Sequence, residues 1–497
     1  MTAQTATTDR SRWAALYVLC AGMLMIVLDV TIVNVALPSI QADLGFSQSN
    51  LAWVVNAYLI AFGGLLLLAG RVGDLIGPRR VFLGGLVLFT LASLACAVAQ
   101  TQAMLIGARF VQGVGGALTS AVILGMIVTL FPEPREQAKA LGVYGFVASA
   151  GGSIGLLTGG VLTDAISWHW IFFVNVPIGV AVAAGALRLV EDRRGIGLGE
   201  GADVPGAALL TAGLMIGVYA ILQVSEHGWG ATRTLVLGAV ALGLLATFLV
   251  RQARISNPLM PLRLFRSRTT TGANLVMVML VVGMFGVFFL GALYLQQILG
   301  YDALEVGLAF LPSTLVMGTL SLGVAGQLAM RFGPQRVLMP ALVLIAAGLL
   351  VFTRSPVDGS YVEHVLPMAI LLGVGAGLAT PAIMMLAMAD ATPSDAGLAS
   401  GLVNTTTQVG GAIGLAVLAT LAADRTHGEV ARGASESAAL NSGFHLAYLV
   451  AAALVLLSVV IAAFVLRTPQ AAGAEHVAHG TAAQDAPTGE SALPVAA

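Results

Sequence analysis

The stretch GRVGDLIGPRRVF, from Gly70 to Phe82, carries one acidic and three basic residues on a turn between two long apolar segments. Its pattern returns as GQLAMRFGPQRVL, from Gly326 to Leu338, with the first and last glycines, the proline and the final arginine at matching positions. A Gly-Pro pair favours a tight reversal of the chain, and the proline then opens the next helix. A turn that is used twice predicts two related halves.

One acidic residue distinguishes the two copies. Asp74 of the first copy is replaced by Met330 in the second. The second copy can be interpreted as a solvated loop with anchoring arginines. An acid that is present in only one of the two copies indicates a functional role. The candidate gating loop consists of Gly70, Arg71, Gly73, Asp74, Gly77, Arg79 and Arg80.

The first copy resembles the signature loop between the second and third helices of the major facilitator superfamily, because its Gly, Asp, Gly and paired basic residues follow the same order. Three other stretches are similar to motifs of the 14-helix drug:proton antiporters of that superfamily: LDVTIVNVALP (Leu28–Pro38), RFVQGVGGAL (Arg109–Leu118) and WHWIFFVNVPIG (Trp168–Gly179). The resemblance implies two six-helix bundles with two extra helices inserted between them. It also implies export of drugs in exchange for protons, with Asp74 gating the cytoplasmic side.

Composition independently indicates an all-helical, polytopic membrane protein. Of the 497 residues, 58% are hydrophobic and 9% are charged, and the mean hydropathy is +0.93. A soluble domain does not need so much apolar surface. The net charge of −1 gives no indication of a nucleic-acid partner. Both cysteines fall in apolar segments, and no His or Cys cluster has metal-ligand spacing, so neither a metal nor another cofactor is expected.

Apolar runs long enough to cross about 30 Å of hydrocarbon predict about 14 transmembrane helices. Their approximate spans are 14–37, 52–70, 81–100, 104–130, 139–163, 168–187, 205–224, 234–251, 271–295, 305–326, 336–353, 363–389, 397–422 and 443–466. Most basic residues between these spans fall on the side of the N-terminus, so the positive-inside rule places both termini in the cytoplasm.

The spans and the loop repeat together predict the domain organisation. A cytoplasmic tail (1–13) precedes the N-terminal six-helix bundle (14–188), two inserted helices with their linkers (189–270), the C-terminal six-helix bundle (271–467) and a disordered cytoplasmic tail (468–497). The inserted helices carry almost no polar residues within the membrane, which is typical of lipid-facing helices outside the transport bundles.

Two charged residues remain deep within the predicted spans, Asp29 in the first helix and Arg109 in the fourth. A charge at the bilayer centre costs roughly 2.5 to 3.5 kcal/mol on insertion scales, so such residues are candidates for function. Asp29 lies about 12 Å and Arg109 about 8 Å below the predicted outer ends of their helices, and Gln112 is one turn deeper. The three side chains are therefore expected to share one polar cluster.

Two interpretations of this cluster stay open at this stage. A static ion pair would hold the first and fourth helices together. Alternatively, Asp29 would carry the proton, because a low-dielectric site and a nearby guanidinium act in opposite directions on its proton affinity. The resemblance favours the second interpretation, since Asp29 and Arg109 match antiporter positions that take part in coupling.

Several uncharged residues complete the candidate sites. Helix 5 carries a stripe of glycines that would allow close backbone contact between the halves, namely Gly151, Gly155, Gly159 and Gly160. This stripe resembles the antiporter signature GxxxGPxxGG, although Leu156 replaces the expected proline. The candidate substrate pocket consists of Thr31, Asn34, Phe285, Phe288, Asn404 and Gln408.

These observations predict proton-coupled efflux of lipophilic drugs, antibiotics or a secondary metabolite across a bacterial inner membrane. The expected partners are a small lipophilic substrate, protons and the lipid bilayer, with a monomer as the expected oligomeric state. The alternatives are a proton-coupled importer or facilitator and a non-transporting membrane sensor. An enzyme is disfavoured, because the intramembrane residues do not assemble a nucleophile, a base and an oxyanion group.

Overall fold

The computed structural model describes residues 9–466 except 194, 196, 198–201, 256–257, 261 and 390–395. The described residues form helices and connecting loops, and no β-strand occurs among them. The predicted all-helical class is therefore confirmed. The predicted disordered tail 468–497 and most of the predicted N-terminal tail lie outside the described residues.

The N-terminal half packs as one group of helices. Helix α1 contacts α6 and α8, α5 contacts α3 and α4, and α8 contacts α4. The bounds are α1 (Asp9–Leu44), α2 (Gln48–Leu51), α3 (Trp53–Ile76), α4 (Pro78–Ala97), α5 (Gln102–Leu130), α6 (Pro134–Ala165), α7 (Trp170–Phe173) and α8 (Asn175–Leu189). The predicted sixth span is thus divided into α7 and α8.

The inserted segment forms α9 (Val204–Leu222), α10 (Val224–His227) and α11 (Thr232–Arg254). It differs from the predicted lipid-facing pair in one respect, because α9 packs against both α3 and α17, one helix from each half. Thr420 Oγ1 of α17 donates a hydrogen bond to the Ile221 carbonyl at 3.1 Å. Helix α9 is therefore in contact with both halves and does not face lipid on all sides.

The C-terminal half repeats the arrangement of the first. Helix α12 contacts α17 and α18, and α16 contacts α13 and α15. The bounds are α12 (Arg268–Gln297), α13 (Ala303–Gly323), α14 (Ala325–Phe332), α15 (Pro334–Phe352), α16 (Leu366–Ala387), α17 (Ala396–Ala431) and α18 (Glu436–Val465). A short 3₁₀ helix (Leu262–Arg266) precedes α12, and a π-helical turn (Tyr361–Val365) precedes α16.

Within the described residues, 13 helices are long and apolar enough to cross a membrane. The remaining predicted span corresponds to α6, a helix of 32 residues in which Ile154–Ala165 forms a shorter apolar segment. The chain is therefore a multi-pass membrane protein. The total of 14 crossings and the cytoplasmic position of the termini stay predictions.

The two copies of the loop have the same backbone geometry. Gly77 has φ +109° and Gly333 has φ +88°, a region that side chains with a Cβ rarely adopt. Each glycine is followed by the first residue of a helix, Pro78 of α4 and Pro334 of α15. The missing N–H of proline is tolerated there because the first helical N–H groups have no partner within the helix. The sequence repeat therefore corresponds to a repeated turn.

Among the described residues, the halves meet mainly through α6 with α13, α3 with α17 and α1 with α12, and α2 with α17 and α1 with α13 add smaller contacts. At the end opposite the two loops, Gln296 Nε2 donates to the Val35 carbonyl at 2.9 Å. Gln297 Nε2 donates to Gln41 Oε1 at 2.8 Å at the same end. In this conformation, these two hydrogen bonds connect the halves at the end farthest from the signature loop.

Candidate functional site

The structure brings Asp29, Arg109 and Gln112 into one hydrogen-bonded cluster between α1 and α5. Arg109 Nη1 donates to Asp29 Oδ2 and to Gln112 Oε1, both at 2.6 Å. Gln112 Nε2 donates to Asp29 Oδ1 at 2.7 Å. Arg109 has 1% of its surface exposed, and Asp29 and Gln112 have none. The ion pair is therefore sealed inside the N-terminal half.

Two further residues complete the cluster. Ser93 of α4 accepts from Gln112 Nε2 at 2.7 Å, and Asn175 of α8 donates to Asp29 Oδ1 at 2.9 Å. Sequence reasoning missed both, because a lone Ser or Asn in an apolar span is common. The signal that could have identified Asn175 is its place within WHWIFFVNVPIG, a stretch similar to an antiporter motif. Four helices thus supply side chains to a single carboxylate and its partners.

The guanidinium of Arg109 is held on its other sides as well. Arg109 Nε donates to the Val54 carbonyl of α3 at 2.9 Å. The ring of Tyr58 lies 4.5 Å from the guanidinium carbon, and that of Phe172 lies 5.7 Å away. Such cation–π contacts are worth about 2 kcal/mol when desolvated. The position of Arg109 is thus set by α3, α5 and α7 together.

Burial determines what this cluster can do. Removing one member of a buried ion pair leaves an uncompensated charge, which typically costs about 3 to 5 kcal/mol. Asp29 has no exposed surface, so its carboxylate is out of contact with bulk water in this conformation. A site that exchanges protons in one conformation and is sealed in another has the property that coupled transport requires.

The candidate gating loop packs against its own half in this conformation. Arg79 Nη2 donates to the Leu187 carbonyl of α8, and Arg80 Nη2 contacts Asp192 Oδ2 at 3.2 Å. A Cβ at position 77 would lie 2.5 Å from the carbonyl oxygen of Arg193, which belongs to the segment after α8. Close packing of that segment against the loop therefore also requires glycine at position 77. The loop is therefore anchored to α8 and to the segment after it.

Asp74, the acid that distinguishes the first loop copy, is exposed at the end of α3. The charged group that acts most on it is Arg71, one turn earlier on the same helix. Among the described residues Asp74 forms no ion pair with the C-terminal half. The gating role that the resemblance implies for Asp74 stays a prediction.

The structure corrects the expected role of the glycine stripe in α6. Cβ atoms added at Gly151, Gly155 and Gly159 would meet residues of α1, within the same half. At Gly160 an added Cβ would lie 2.7 Å from the Ala303 carbonyl oxygen of α13, in the other half. The stripe mainly allows α1 and α6 to approach closely, because helices of one bundle are nearest neighbours. Only Gly160 serves the interface between the halves.

The two predicted pocket residues of α1 bond to their own helix. Thr31 Oγ1 donates to the Val27 carbonyl at 3.0 Å, and Asn34 Nδ2 donates to the Val30 carbonyl at 3.2 Å. Such bonds satisfy the side chains without a ligand. Their part in substrate binding stays a prediction.

The predicted pocket residues of the C-terminal half are divided between two helices. The Phe288 ring of α12 lies 5.3 Å from that of Phe310, and Phe285 packs beside Gly411. On α17, Asn404 is exposed, and the Cβ of Gln408 lies against Gly63 of α3. Whether these residues bind substrate together with Thr31 and Asn34 stays a prediction.

An apolar groove lies elsewhere, between α3, α5 and α9. Its volume is roughly 400 Å³. Its lining residues are Leu65, Leu68, Phe110, Val204, Ala207, Ala208, Thr211, Ala212 and Met215. The small residues that α9 contributes to this groove were not singled out in the sequence, because alanines in an apolar helix carry no specific signal.

Comparisons with known proteins agree with this architecture. The family model "Major Facilitator Superfamily" matches residues 19–415. The chain is 40% identical over 463 residues to the puromycin resistance protein pur8 of Streptomyces alboniger, with 91% of each chain covered. It is 42% identical over 424 residues to the cephamycin export protein CmcT of Amycolatopsis lactamdurans, covering 85% of this chain and 87% of that one.

A solved structure with the same fold is that of a bacterial homolog of the human lysosomal transporter Spinster, in an inward-facing and unoccupied conformation. The TM-score is 0.65 at 16% identity, covering 93% of this chain and 100% of that one. Family and fold identify a transporter and not an enzyme. The chain belongs to the major facilitator superfamily.

Proposed function

We propose that this protein exports small lipophilic antibiotics or a secondary metabolite across a bacterial inner membrane, in exchange for protons. The buried cluster of Asp29, Arg109 and Gln112 is the observation that carries the proposal. An ionisable pair without exposed surface in the middle of a transporter half is costly to retain for packing alone. Relatives named for puromycin resistance and cephamycin export support this class of substrate.

In this proposal, Asp29 binds a proton when the bundle opens toward the proton-rich side. Neutralising Asp29 weakens its attraction to Arg109, which alters the packing of α1 against α5 and favours the opposite conformation. Substrate binds when the proton leaves. Coupling then follows, because each conformational change carries either the proton or the substrate.

The gating loop supplies the second part of the cycle. Asp74 is exposed and near Arg71 in the present conformation. When the loop ends of the two halves approach, Asp74 pairs with basic groups and a helix N-terminus of the C-terminal half. Charges near helix termini contribute about 0.3 to 2 kcal/mol, which is enough to bias a two-state equilibrium.

Everted membrane vesicles with a pre-acidified lumen provide the test. Addition of puromycin, a cephamycin or a lipophilic cationic dye should alkalinise the lumen in vesicles that carry this chain, since protons leave as substrate enters. Vesicles with Asp29→Asn should give no such signal. Substrate accumulation without proton movement would contradict proton coupling.

The same vesicles separate the two alternative functions. A proton-coupled importer would acidify the lumen when substrate is added outside, because substrate and proton would enter together. A facilitator would equilibrate substrate without accumulation. A membrane sensor would bind the substrate and produce neither flux.

A further inference from the structure

Every hydrogen-bonding neighbour of the Asp29 carboxylate is a donor in this conformation. Oδ2 accepts from Arg109 at 2.6 Å, while Oδ1 accepts from Gln112 at 2.7 Å and from Asn175 at 2.9 Å. This arrangement suits an ionised carboxylate. A protonated carboxyl has an O–H that needs an acceptor. Proton transfer to Asp29 therefore requires one neighbour to change from donor to acceptor.

Arg109 and Gln112 cannot make that change. A guanidinium has no acceptor atom. Gln112 is fully engaged, because its Oε1 accepts from Arg109 at 2.6 Å and its Nε2 donates both to Asp29 and to Ser93 at 2.7 Å. Reversing its amide would place Nε2 against the Arg109 guanidinium, so that two donors would face each other and Arg109 would lose its acceptor.

Asn175 differs from Gln112 because its amide oxygen is not engaged in a hydrogen bond. Its Oδ1 is buried and has no hydrogen-bond partner, although the residue has no exposed surface. A half turn of the amide about the Cβ–Cγ bond exchanges Nδ2 with Oδ1. Nδ2 also donates to Ser93 Oγ at 3.5 Å, and the Ser93 hydroxyl can donate to Oδ1 after the turn. One atom of the amide is therefore without a partner in either orientation, Oδ1 before the turn and Nδ2 after it.

Two other ionisable groups lie near Asp29, and neither forms a hydrogen bond with it among the described residues. Tyr58 of α3 and Cys96 of α4 interact electrostatically with Asp29. However, the Tyr58 hydroxyl lies against Gly116, and Cys96 Sγ faces Gln112 Oε1 at 3.7 Å. Among the described residues of α6, α8 and α12, which also pack on α1, none forms an ion pair with Asp29.

We propose that Asn175 is a positioning residue that lets the cluster hold Asp29 in both charge states. Its Nδ2 donates to the ionised carboxylate, and after the half turn its Oδ1 accepts the O–H of the protonated carboxyl. The inference rests on the proton coupling through Asp29 proposed above. It assigns Asn175 a role that Arg109 and Gln112 cannot fill.

Infrared difference spectroscopy of the reconstituted protein, recorded between high and low pH, tests both statements separately. Wild-type protein should show a carboxylic C=O band at a hydrogen-bonded frequency, and Asp29→Asn should remove it. In Asn175→Leu the band should move to the frequency of a free carboxylic acid. If wild-type protein has no band that depends on Asp29, proton coupling through Asp29 fails; if the band is unchanged in Asn175→Leu, the role of Asn175 fails.

Transport gives the second readout. Proton-driven efflux by Asn175→Leu should fall by about tenfold, corresponding to ~1.4 kcal/mol, whereas substrate exchange, which needs no change of protonation, should stay within about twofold. Asn175→Ser keeps a group that both donates and accepts, and should recover most of the efflux. An equal loss of efflux and exchange in the Leu variant would indicate a structural role only.

Asn274→Leu is the matched control. Asn274 is also buried with an unpaired Oδ1, but it lies on α12 and its Nδ2 donates to the Thr270 carbonyl of its own helix. This variant should leave the Asp29 band unchanged. If Asn175→Leu fails to insert, isotope-edited spectra of labelled asparagine in wild-type protein replace it. An asparagine C=O shift that depends on Asp29 supports the proposal, and its absence overturns it.

Discussion

The N-terminal half buries the Asp29–Arg109 ion pair, whereas the described residues of the C-terminal half bury only uncharged polar groups such as Asn274 and Thr405. At the spacing that separates the two loop copies, Phe285 and Val365 occupy the positions that correspond to Asp29 and Arg109. The two related halves therefore share the Gly-Pro turn but differ in the residues buried at these two positions. In the proposed mechanism, proton handling therefore belongs to the first half alone.

The two loop copies also share one feature and differ in another. Arg79 donates to the Leu187 carbonyl of α8, and Gln335 at the matching position donates to the Ala462 carbonyl of α18 at 3.0 Å. The anchoring hydrogen bond is therefore common to both halves and needs no charge. Asp74 has no acidic counterpart, since Met330 stands at the matching position and is exposed.

The largest expected effect comes from separating the buried charges. Asp29→Asn should abolish proton-driven efflux while substrate exchange persists, because exchange needs no net change of protonation. Each single change leaves one buried charge unpaired and should also destabilise the fold by about 3 to 5 kcal/mol. If the pair is only structural, Asp29→Asn with Arg109→Gln should restore both stability and coupled transport. Expression, thermal unfolding and proton flux of the three variants decide between the two roles. Coupled transport by the double variant would rule out Asp29 as the carrier.

The loop acid should have the next largest effect. Asp74→Asn should reduce the transport rate by about tenfold, equivalent to ~1.4 kcal/mol of lost bias between conformations, with little change in equilibrium substrate binding. Met330→Asp, which adds an acid to the second loop, is the matched control and should not compensate. Binding measured by fluorescence and efflux measured in vesicles separate these outcomes. Loss of binding with normal insertion would contradict a gating role.

A smaller effect is expected where α6 meets the other half. Gly160→Val would place side-chain atoms against the Ala303 carbonyl and should destabilise this conformation by about 1 to 3 kcal/mol. Gly152→Val is the control, because a Cβ at Gly152 meets nothing within 4 Å. Accessibility of single cysteines placed near Ala303 should increase only in Gly160→Val. Equal accessibility in both variants would show that Gly160 does not hold this contact.

The smallest expected effects are changes in stability when one buried hydroxyl is removed from the N-terminal half and one from the C-terminal half. Ser93→Ala leaves a buried N–H of Gln112 without its acceptor and should cost about 1 to 3 kcal/mol. Thr405→Val removes a buried hydroxyl that already lacks a partner, and should change stability by less than about 1 kcal/mol. Thermal unfolding in detergent measures both. Equal destabilisation would mean that the two cores are not organised differently.

The sequence alone determined the membrane class, the repeated turn and the approximate position of most helices. Hydrophobic length and Gly-Pro chemistry are local properties, and they need no knowledge of neighbouring helices. The same locality explains why Asp29 and Arg109 could be paired by depth, since rise per residue converts sequence position into height. Pairing by depth does not reveal the direction in which a side chain points.

Only the tertiary structure decided which helices supply the rest of the cluster and which face each glycine serves. Ser93 and Asn175 lie far from Asp29 in the chain. Asn175 binds Asp29 and Ser93 binds Gln112 because α4 and α8 pack beside α1 and α5. Gly159 and Gly160 are adjacent in sequence yet face different halves, since successive helical residues point about 100° apart. Rotation of each helix about its axis is set by packing of the whole bundle, so this information is absent from any single segment.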